Sequence, residues 1–233
     1  MALGLRTARM AGIDRDAFWD TGMLAVFAAL LLSRALPVVE NPRVFFAYPV
    51  LVLQLPSLAD GGLLLAAVAT ALYIRRRRLP MLGVLDAAAP CAALVAAALA
   101  FGRVADGTRE GMPMARRWAV ASAFGRVHPV EIYLAIAWLA LCAVLLWVLG
   151  RSRRAGETAA WGLLLGGLLL FLLDFFHLPS MLYGDAWLDR VQWRALIFIV
   201  AGCLMLVSLA DGGMGTAVPE ASASGTEGAG DAL

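Results

Sequence analysis

The residues of this sequence best suited to chemistry on a charged substrate are Arg103, His128 and Glu131. Arg103 ends one apolar stretch, and His128 and Glu131 open the next one. A guanidinium stays charged at physiological pH and binds phosphate through two parallel hydrogen bonds, so Arg103 suits a phospholipid phosphate. His128 and Glu131 are three residues apart and would share a helix face, where they could pass a proton. Tyr133 lies about 140° from His128 on a helix of 3.6 residues per turn, so we expect it on another face.

The composition excludes a soluble globular protein. Hydrophobic residues make up 62% of the 233-residue chain and charged residues only 15%, with a mean hydropathy of +0.81. We therefore expect an integral membrane protein. The net charge of +2 says little about partners, and we expect no nucleic acid, metal or cofactor. The three cysteines each lie within an apolar segment, where a buried thiol is the ordinary interpretation.

Six apolar stretches approach the roughly 20 residues that a membrane-spanning helix needs. They cover about 19–38, 60–74, 83–102, 130–150, 159–177 and 193–210. The apolar stretch 44–58 contains Pro49 and Pro56 and is too short and too interrupted to span. We interpret it as a re-entrant or interfacial segment. The predicted fold is an all-α polytopic membrane helix bundle of about six transmembrane helices.

Arginine-rich short loops stay in the cytoplasm, and this rule predicts the orientation. Dense clusters at 75–78 and 151–154 fall on one side if the spans alternate. Both termini are then cytoplasmic. Residues 1–18 form an arm at the membrane surface. Residues 211–233 form a tail whose small and polar side chains bury too little surface to order it. The transmembrane domain covers 19–210, and its loop 103–129 faces outward.

Polar residues gather at the outward ends of the predicted spans. Charged groups inside spans usually face a cavity or one another. The set predicts an outward-facing polar site, although each member alone could be a helix-end residue that reaches the headgroups. Its members are Arg34, Asp60, Gly61, Gly62, Arg103, His128, Glu131, Asp174, His177 and Gln192.

Several short motifs, in their order and spacing, resemble the prolipoprotein diacylglyceryl transferase family from about Gly12 to Leu209. They are Asp60-Gly61-Gly62-Leu63, Gly102-Arg103, His128-Pro129-Val130-Glu131-Ile132-Tyr133, Asp174-Phe175-Phe176 and Gln192. Asp106 and Glu110 are remnants of the signature that follows the Gly-Arg pair in that family.

The resemblance implies transfer of the diacylglyceryl group of phosphatidylglycerol to the lipobox cysteine of a prolipoprotein, in the bacterial plasma membrane. The partners it implies are phosphatidylglycerol, the prolipoprotein signal peptide with its lipobox, and the bilayer. Arg103, His128 and Glu131 would be the catalytic residues. The substrate-binding residues would be Arg34, Asp60, Gly61, Gly62, Arg103, Asp106, Glu110, Tyr133 and Gln192.

The sequence also departs from the family pattern, and the departures leave alternatives open. Leu170 stands where the family has a second arginine, and Asp60 stands where it has a histidine. In an active transferase, Arg126, Arg190 or Arg194 would replace the missing arginine. Alternatively, the protein binds phospholipid or lipoprotein signal segments without turnover. A small transporter ranks last, because the polar residues gather at one face and not at the midplane.

Overall fold

The structure is a computed structural model that describes residues 2–48, 60–106, 111–122, 125–152, 154–177 and 189–214. Most of this part of the chain is helical. The helices are α1 (Ala2–Met10), α2 (Arg15–Glu40), α3 (Pro42–Ala47), α4 (Asp60–Arg76), α5 (Met81–Asp106), α6 (Val130–Leu149), α7 (Glu157–Asp174) and α8 (Arg190–Met214). Strands β1 (Val120–Ser122) and β2 (Gly125–Val127) form an antiparallel hairpin.

The predicted all-α membrane bundle is confirmed. Within the described ranges, five helices are long and apolar enough to cross a membrane: α2, α5, α6, α7 and α8. The remaining predicted span, at about 60–74, corresponds to α4. This helix has 17 residues and is therefore a little shorter than the roughly 20 that a span needs. The predicted re-entrant segment begins with α3, and its residues 49–59 lie outside the described part of the chain.

Helices α5 to α8 form the centre of the bundle. One buried cluster joins Ala93 of α5 to Leu141 and Leu145 of α6. Helices α7 and α8 approach closely because glycines face backbone: a Cβ on Gly202 would lie 2.6 Å from the amide nitrogen of Leu164. Small residues permit such close helix contacts inside membranes, where packing must supply the stability.

Helices α2 and α4 pack against each other through two glycines of α4. A Cβ on Gly62 would lie 2.2 Å from the Cα of Ser33, and one on Gly61 would lie 2.6 Å from the Leu36 side chain. Both glycines therefore let the first turn of α4 lie directly on α2. This contact is made near the end of the bundle at which α5 ends, which we call the Arg103 end.

Within the predicted N-terminal arm, residues 2–10 form helix α1, which packs against the bundle. Helix α1 packs against α5 and α2, and its residues Thr7 and Ala8 have no exposed surface. Leu3 packs against the cluster around Leu141 and Leu145, and the Thr7 hydroxyl is 3.6 Å from the Cys91 sulfur. Helix α1 therefore buries one of its faces, which carries small and apolar side chains, against the bundle.

At the opposite end of the bundle, Asp86 caps helix α7. Its carboxylate accepts hydrogen bonds from the backbone N–H groups of Gly156 (2.5 Å) and Ala159 (2.8 Å). Gly156 has a φ of +98°, a value that favours glycine. Arg151 lies over the Trp147 ring at 4.2 Å, and Arg77 lies 5.4 Å from the centre of the Tyr73 ring. Aromatic residues at this depth are typical of a membrane interface.

Two helices extend into segments that were predicted as a loop and a tail. Helix α5 continues to Asp106, so it includes the first four residues of the loop predicted at 103–129; the same loop contains the β1–β2 hairpin. Helix α8 extends to Met214, so it includes the first four residues of the segment predicted as a tail. The rest of the predicted tail, 215–233, lies outside the described residues.

Candidate functional site

Arg103 and Glu131 meet at the point where α5 ends and α6 begins. Arg103 lies in the last turn of α5, and Glu131 is the second residue of α6. The Arg103 Nε donates a hydrogen bond of 2.9 Å to Glu131 Oε2. The Glu131 side chain is 7% exposed and that of Arg103 is 39% exposed. A buried carboxylate thus fixes a guanidinium whose far side reaches the surface.

The end of α7 brings a second pair of ionisable side chains to Glu131. His177 Nε2 lies 3.6 Å from Glu131 Oε1, and His177 Nδ1 lies 3.6 Å from Asp174 Oδ1. Both His177 and Asp174 are buried. The imidazole therefore stands between two carboxylates, and Glu131 stands between the imidazole and the Arg103 guanidinium. Three helices contribute to one continuous polar cluster.

The segment 111–114 ties these helix ends together through its backbone. Its Met112 N–H donates to the Phe176 carbonyl (2.9 Å), and the Met112 carbonyl accepts from the His128 N–H (3.0 Å). Gly111 is required here, because a Cβ at that position would lie 2.2 Å from the His128 carbonyl oxygen. The segment therefore fixes the end of α7 relative to the start of α6.

His128 lies beside the polar cluster in an aromatic setting. Its ring centroid is 5.5 Å from that of Phe176 and 6.3 Å from that of Tyr133. Its Nδ1 is buried and has no hydrogen-bond partner among the described residues. The expectation that Tyr133 faces away from His128 was wrong. His128 precedes the first residue of α6, so the angular spacing of a helix does not apply to it.

The other predicted site residues are less closely connected. Gln192 accepts a hydrogen bond from the backbone N–H of Asp189 at the start of α8 (3.2 Å), and Arg34 lies on α2. Gly61 and Gly62 contact α2, as described above. Asp60 and Asp106 are the first residue of α4 and the last residue of α5, and Glu110 lies outside the described part of the chain.

The structure adds His177 and Asp174 to the site residues predicted from sequence. Both belong to the set of polar helix-end residues, but their spacing of three also fits a pair that only satisfies itself. The signal that could have selected them is the chain's second and last histidine three residues after an acid at the end of an apolar stretch.

An apolar cavity lies between α5, α6, α7 and α8. Its volume is about 450 Å³. Five alanines of α5 form one wall, and Trp138 and Leu170 lie in the others. Leu170 also packs against the buried cluster of Ala100, Val130 and Leu134. In this cluster, Val130 directly precedes Glu131, and Ala100 lies about one helical turn before Arg103. Leu170 thus belongs both to the lining of the cavity and to the packing beneath the start of α6.

Comparison with protein-family models identifies the family to which this chain belongs. The family model of prolipoprotein diacylglyceryl transferase matches residues 1–208. The chain belongs to the prolipoprotein diacylglyceryl transferase family. The resemblance inferred from short motifs is therefore confirmed, and the family model covers both sides of the Arg103–Glu131 pair.

Three curated relatives are all named phosphatidylglycerol–prolipoprotein diacylglyceryl transferase. The protein of Methylobacillus flagellatus is 31% identical over 160 residues, which cover 64% of this chain and 60% of the relative. That of Bordetella parapertussis is 32% identical over 149 residues, 61% and 57% of the two chains. That of Idiomarina loihiensis is 32% identical over 156 residues, 63% and 58% of the two chains. The matched region thus spans about three fifths of these relatives.

Proposed function

We propose that this protein transfers the diacylglyceryl group of phosphatidylglycerol to the cysteine thiol of a prolipoprotein lipobox. The observation that carries the proposal is the half-exposed Arg103 guanidinium, held by a buried carboxylate at one end of a bundle that also encloses an apolar cavity. A lipid needs both features, because its phosphate requires a cation and its acyl chains require an apolar space. The family membership and the names of the relatives support the same reaction.

Arg103 would bind the phosphate of phosphatidylglycerol. Its Nε is bonded to Glu131, which leaves the two terminal nitrogens for a pair of parallel hydrogen bonds to phosphate oxygens. As the bond between the glyceryl carbon and the phosphate oxygen breaks, negative charge builds on the departing glycerol phosphate. A guanidinium already fixed in place stabilises this charge without reorganisation at the moment of reaction.

His128 would accept the proton of the substrate thiol. The thiolate sulfur then forms the bond to the glyceryl carbon, the carbon–oxygen bond breaks, and glycerol phosphate leaves. Glu131 is committed to Arg103 and lies close to His177, so it serves as a positioning residue and is a poorer base than predicted from sequence. The His128 Nδ1, which makes no hydrogen bond to the described residues, is the better acceptor.

The test is transfer to a peptide. Purified protein in phosphatidylglycerol micelles is incubated with a lipobox peptide, and mass spectrometry detects a diacylglyceryl adduct on the peptide cysteine. We expect the adduct with the natural protein and a loss of about 10²–10³-fold in rate for Arg103→Ala, the range typical for removal of one transition-state charge contact. The control variant Arg77→Ala removes an arginine at the opposite end. An unchanged rate for Arg103→Ala contradicts the assigned role.

A second candidate function is lipid or signal-segment binding without turnover. Leu170 favours it, because the position of the family's second arginine is apolar here and lines the cavity. Of the predicted replacements, Arg126 is exposed on β2, and the Arg194 Nε donates to the Arg190 carbonyl within its own helix. Lipid binding without any thioether product, alongside an active relative in the same assay, would select this function.

The orientation belongs to the proposal as well. We place the Arg103 end outward in the bacterial plasma membrane and both termini in the cytoplasm, since the dense arginine clusters at 75–78 and 151–154 lie at the opposite end. Single cysteines introduced at Ser122 and Ser152, in a cysteine-free background, test it in intact cells. A membrane-impermeant thiol reagent should label position 122 and not position 152; the reverse pattern contradicts the orientation.

A further inference from the structure

The connection between α5 and α6 carries a purely basic charge in its C-terminal part. Residues 111–129 contain Arg116, Arg117 and Arg126 and no acidic residue. All three arginines are exposed, and none of them forms an ion pair within the described part of the chain. This part of the connection therefore presents positive charge that the described protein does not neutralise.

Large apolar side chains are exposed on the same connection. Trp118 is 60% exposed, Val120 47% and Met112 39%. The Trp118 indole N–H nevertheless donates a hydrogen bond of 3.1 Å to the Tyr133 hydroxyl. Tyr133 lies in the first turn of α6, a 20-residue apolar helix. The bond therefore fixes the indole at the depth where a spanning helix begins.

The first turn of a membrane-spanning helix lies near the headgroup region of a bilayer. Tryptophan and tyrosine concentrate there, because each has an apolar ring and a polar group that remains wet. Arg116 and Arg117 immediately precede Trp118. Their guanidiniums consequently lie within one side-chain length of the same layer, where the negative groups of the membrane are found.

We propose that the Arg116-Arg117-Trp118 segment binds the headgroups of anionic phospholipids at the membrane surface. The two guanidiniums hold phosphate oxygens, and the indole beside them packs at the boundary with the acyl chains. The ligand is a lipid of the surrounding bilayer, separate from any lipid at Arg103. The proposal does not depend on catalysis, so a protein that transfers nothing would still enrich anionic lipid at this surface.

Quenching of Trp118 fluorescence tests the proposal with the full chain in phosphatidylcholine nanodiscs. A lipid carrying a quencher near the headgroup is added, either as phosphatidylglycerol or as phosphatidylcholine at the same fraction. The chain has seven tryptophans, so the Trp118 share is the difference between the natural protein and Trp118→Phe. We expect this share to be quenched several-fold more by labelled phosphatidylglycerol than by labelled phosphatidylcholine.

Two further measurements make the result specific. Arg116→Gln with Arg117→Gln should reduce the preference for phosphatidylglycerol by about fivefold for each arginine, the usual contribution of one basic residue near an anionic surface. Arg75→Gln with Arg76→Gln, at the opposite end, should leave it unchanged. In the natural protein, 1 M salt should remove the preference, because screening then acts within about 3 Å.

Equal quenching of Trp118 by the two labelled lipids overturns the proposal, as does a preference that survives both salt and the double substitution. Quenching of Trp118 by a labelled acidic peptide, with no preference between the lipids, also overturns it and assigns the surface to a protein partner. The salt measurement uses the natural protein, so the proposal stays testable even if the double variant does not fold.

Discussion

Replacing Glu131 by glutamine separates the two roles of the Arg103–Glu131 pair. The change keeps the size of the side chain but removes the charge that holds the guanidinium through a 2.9 Å bond. Breaking a fully buried ion pair costs about 3–5 kcal/mol, and an exposed pair contributes about 1 kcal/mol or less. Because Arg103 is 39% exposed and Glu131 only 7%, we expect a coupling of about 1–2 kcal/mol.

A double-mutant cycle measures that coupling. The free energy of unfolding in mixed micelles is determined for the natural protein, Arg103→Gln, Glu131→Gln and the double variant. Glu157→Gln, an identical change at the start of α7, controls for the loss of a carboxylate elsewhere. Effects that add to within about 0.3 kcal/mol would mean that the two side chains do not interact in the folded protein, and the account of the site would fail.

The same variants separate positioning from binding in the transfer assay. Glu131→Gln leaves the Arg103 charge present but poorly aligned, so we expect a fall in rate of about 10–100-fold, the range that a small misplacement of a reacting group causes. Arg103→Gln removes the charge and should fall further. Equal rates for Glu131→Gln and the natural protein would refute the view that this carboxylate orients the guanidinium.

Three other changes test the site and its supports. His128→Gln should lower the transfer rate by about 10²–10⁴-fold with little change in melting temperature, because it removes a proton acceptor; peptide transfer and thermal unfolding measure both, and an unchanged rate contradicts the role. Gly62→Ala should lower the free energy of unfolding by about 1–3 kcal/mol, because the added methyl group would force α4 away from α2. Gly22→Ala adds a methyl group where nothing lies within 4 Å, so it should leave the free energy of unfolding unchanged. Asp86→Asn should lower the free energy of unfolding by about 1–2 kcal/mol, and the exposed Asp20→Asn should leave it unchanged.

The membrane character and most of the fold followed from the sequence because apolar length is a strong signal. Helices α5 and α6 lie close to where the apolar stretches predicted them. The position of α1 could not be predicted in this way. Its nine residues are too few to span, and whether they rest on lipid or on α5 depends on the shape of the bundle, which hydropathy does not describe.

The site was predictable in part. Alternation of spans brings Arg103 and Glu131 to the same end, since one helix ends there and the next begins. It does not reveal that segment 111–114 ties the end of α7 to the start of α6, which brings His177 to Glu131. Those hydrogen bonds are made by backbone groups, so no side-chain pattern announces them. Helix angles also failed for Tyr133, because they apply only once the helix has begun.

The buried carboxylates of Asp86 and Glu131 show why the partners of a residue, and not its type alone, decide what it can do. Both are acids close to the start of an apolar helix, and from sequence they are equivalent. Asp86 accepts its hydrogen bonds from backbone N–H groups at the start of α7, so its charge is used to join two helices. Glu131 instead binds a side chain that reaches the surface. Only an acid of the second kind can transmit its position to a substrate, and for that reason we propose the Arg103 end as the place of the chemistry.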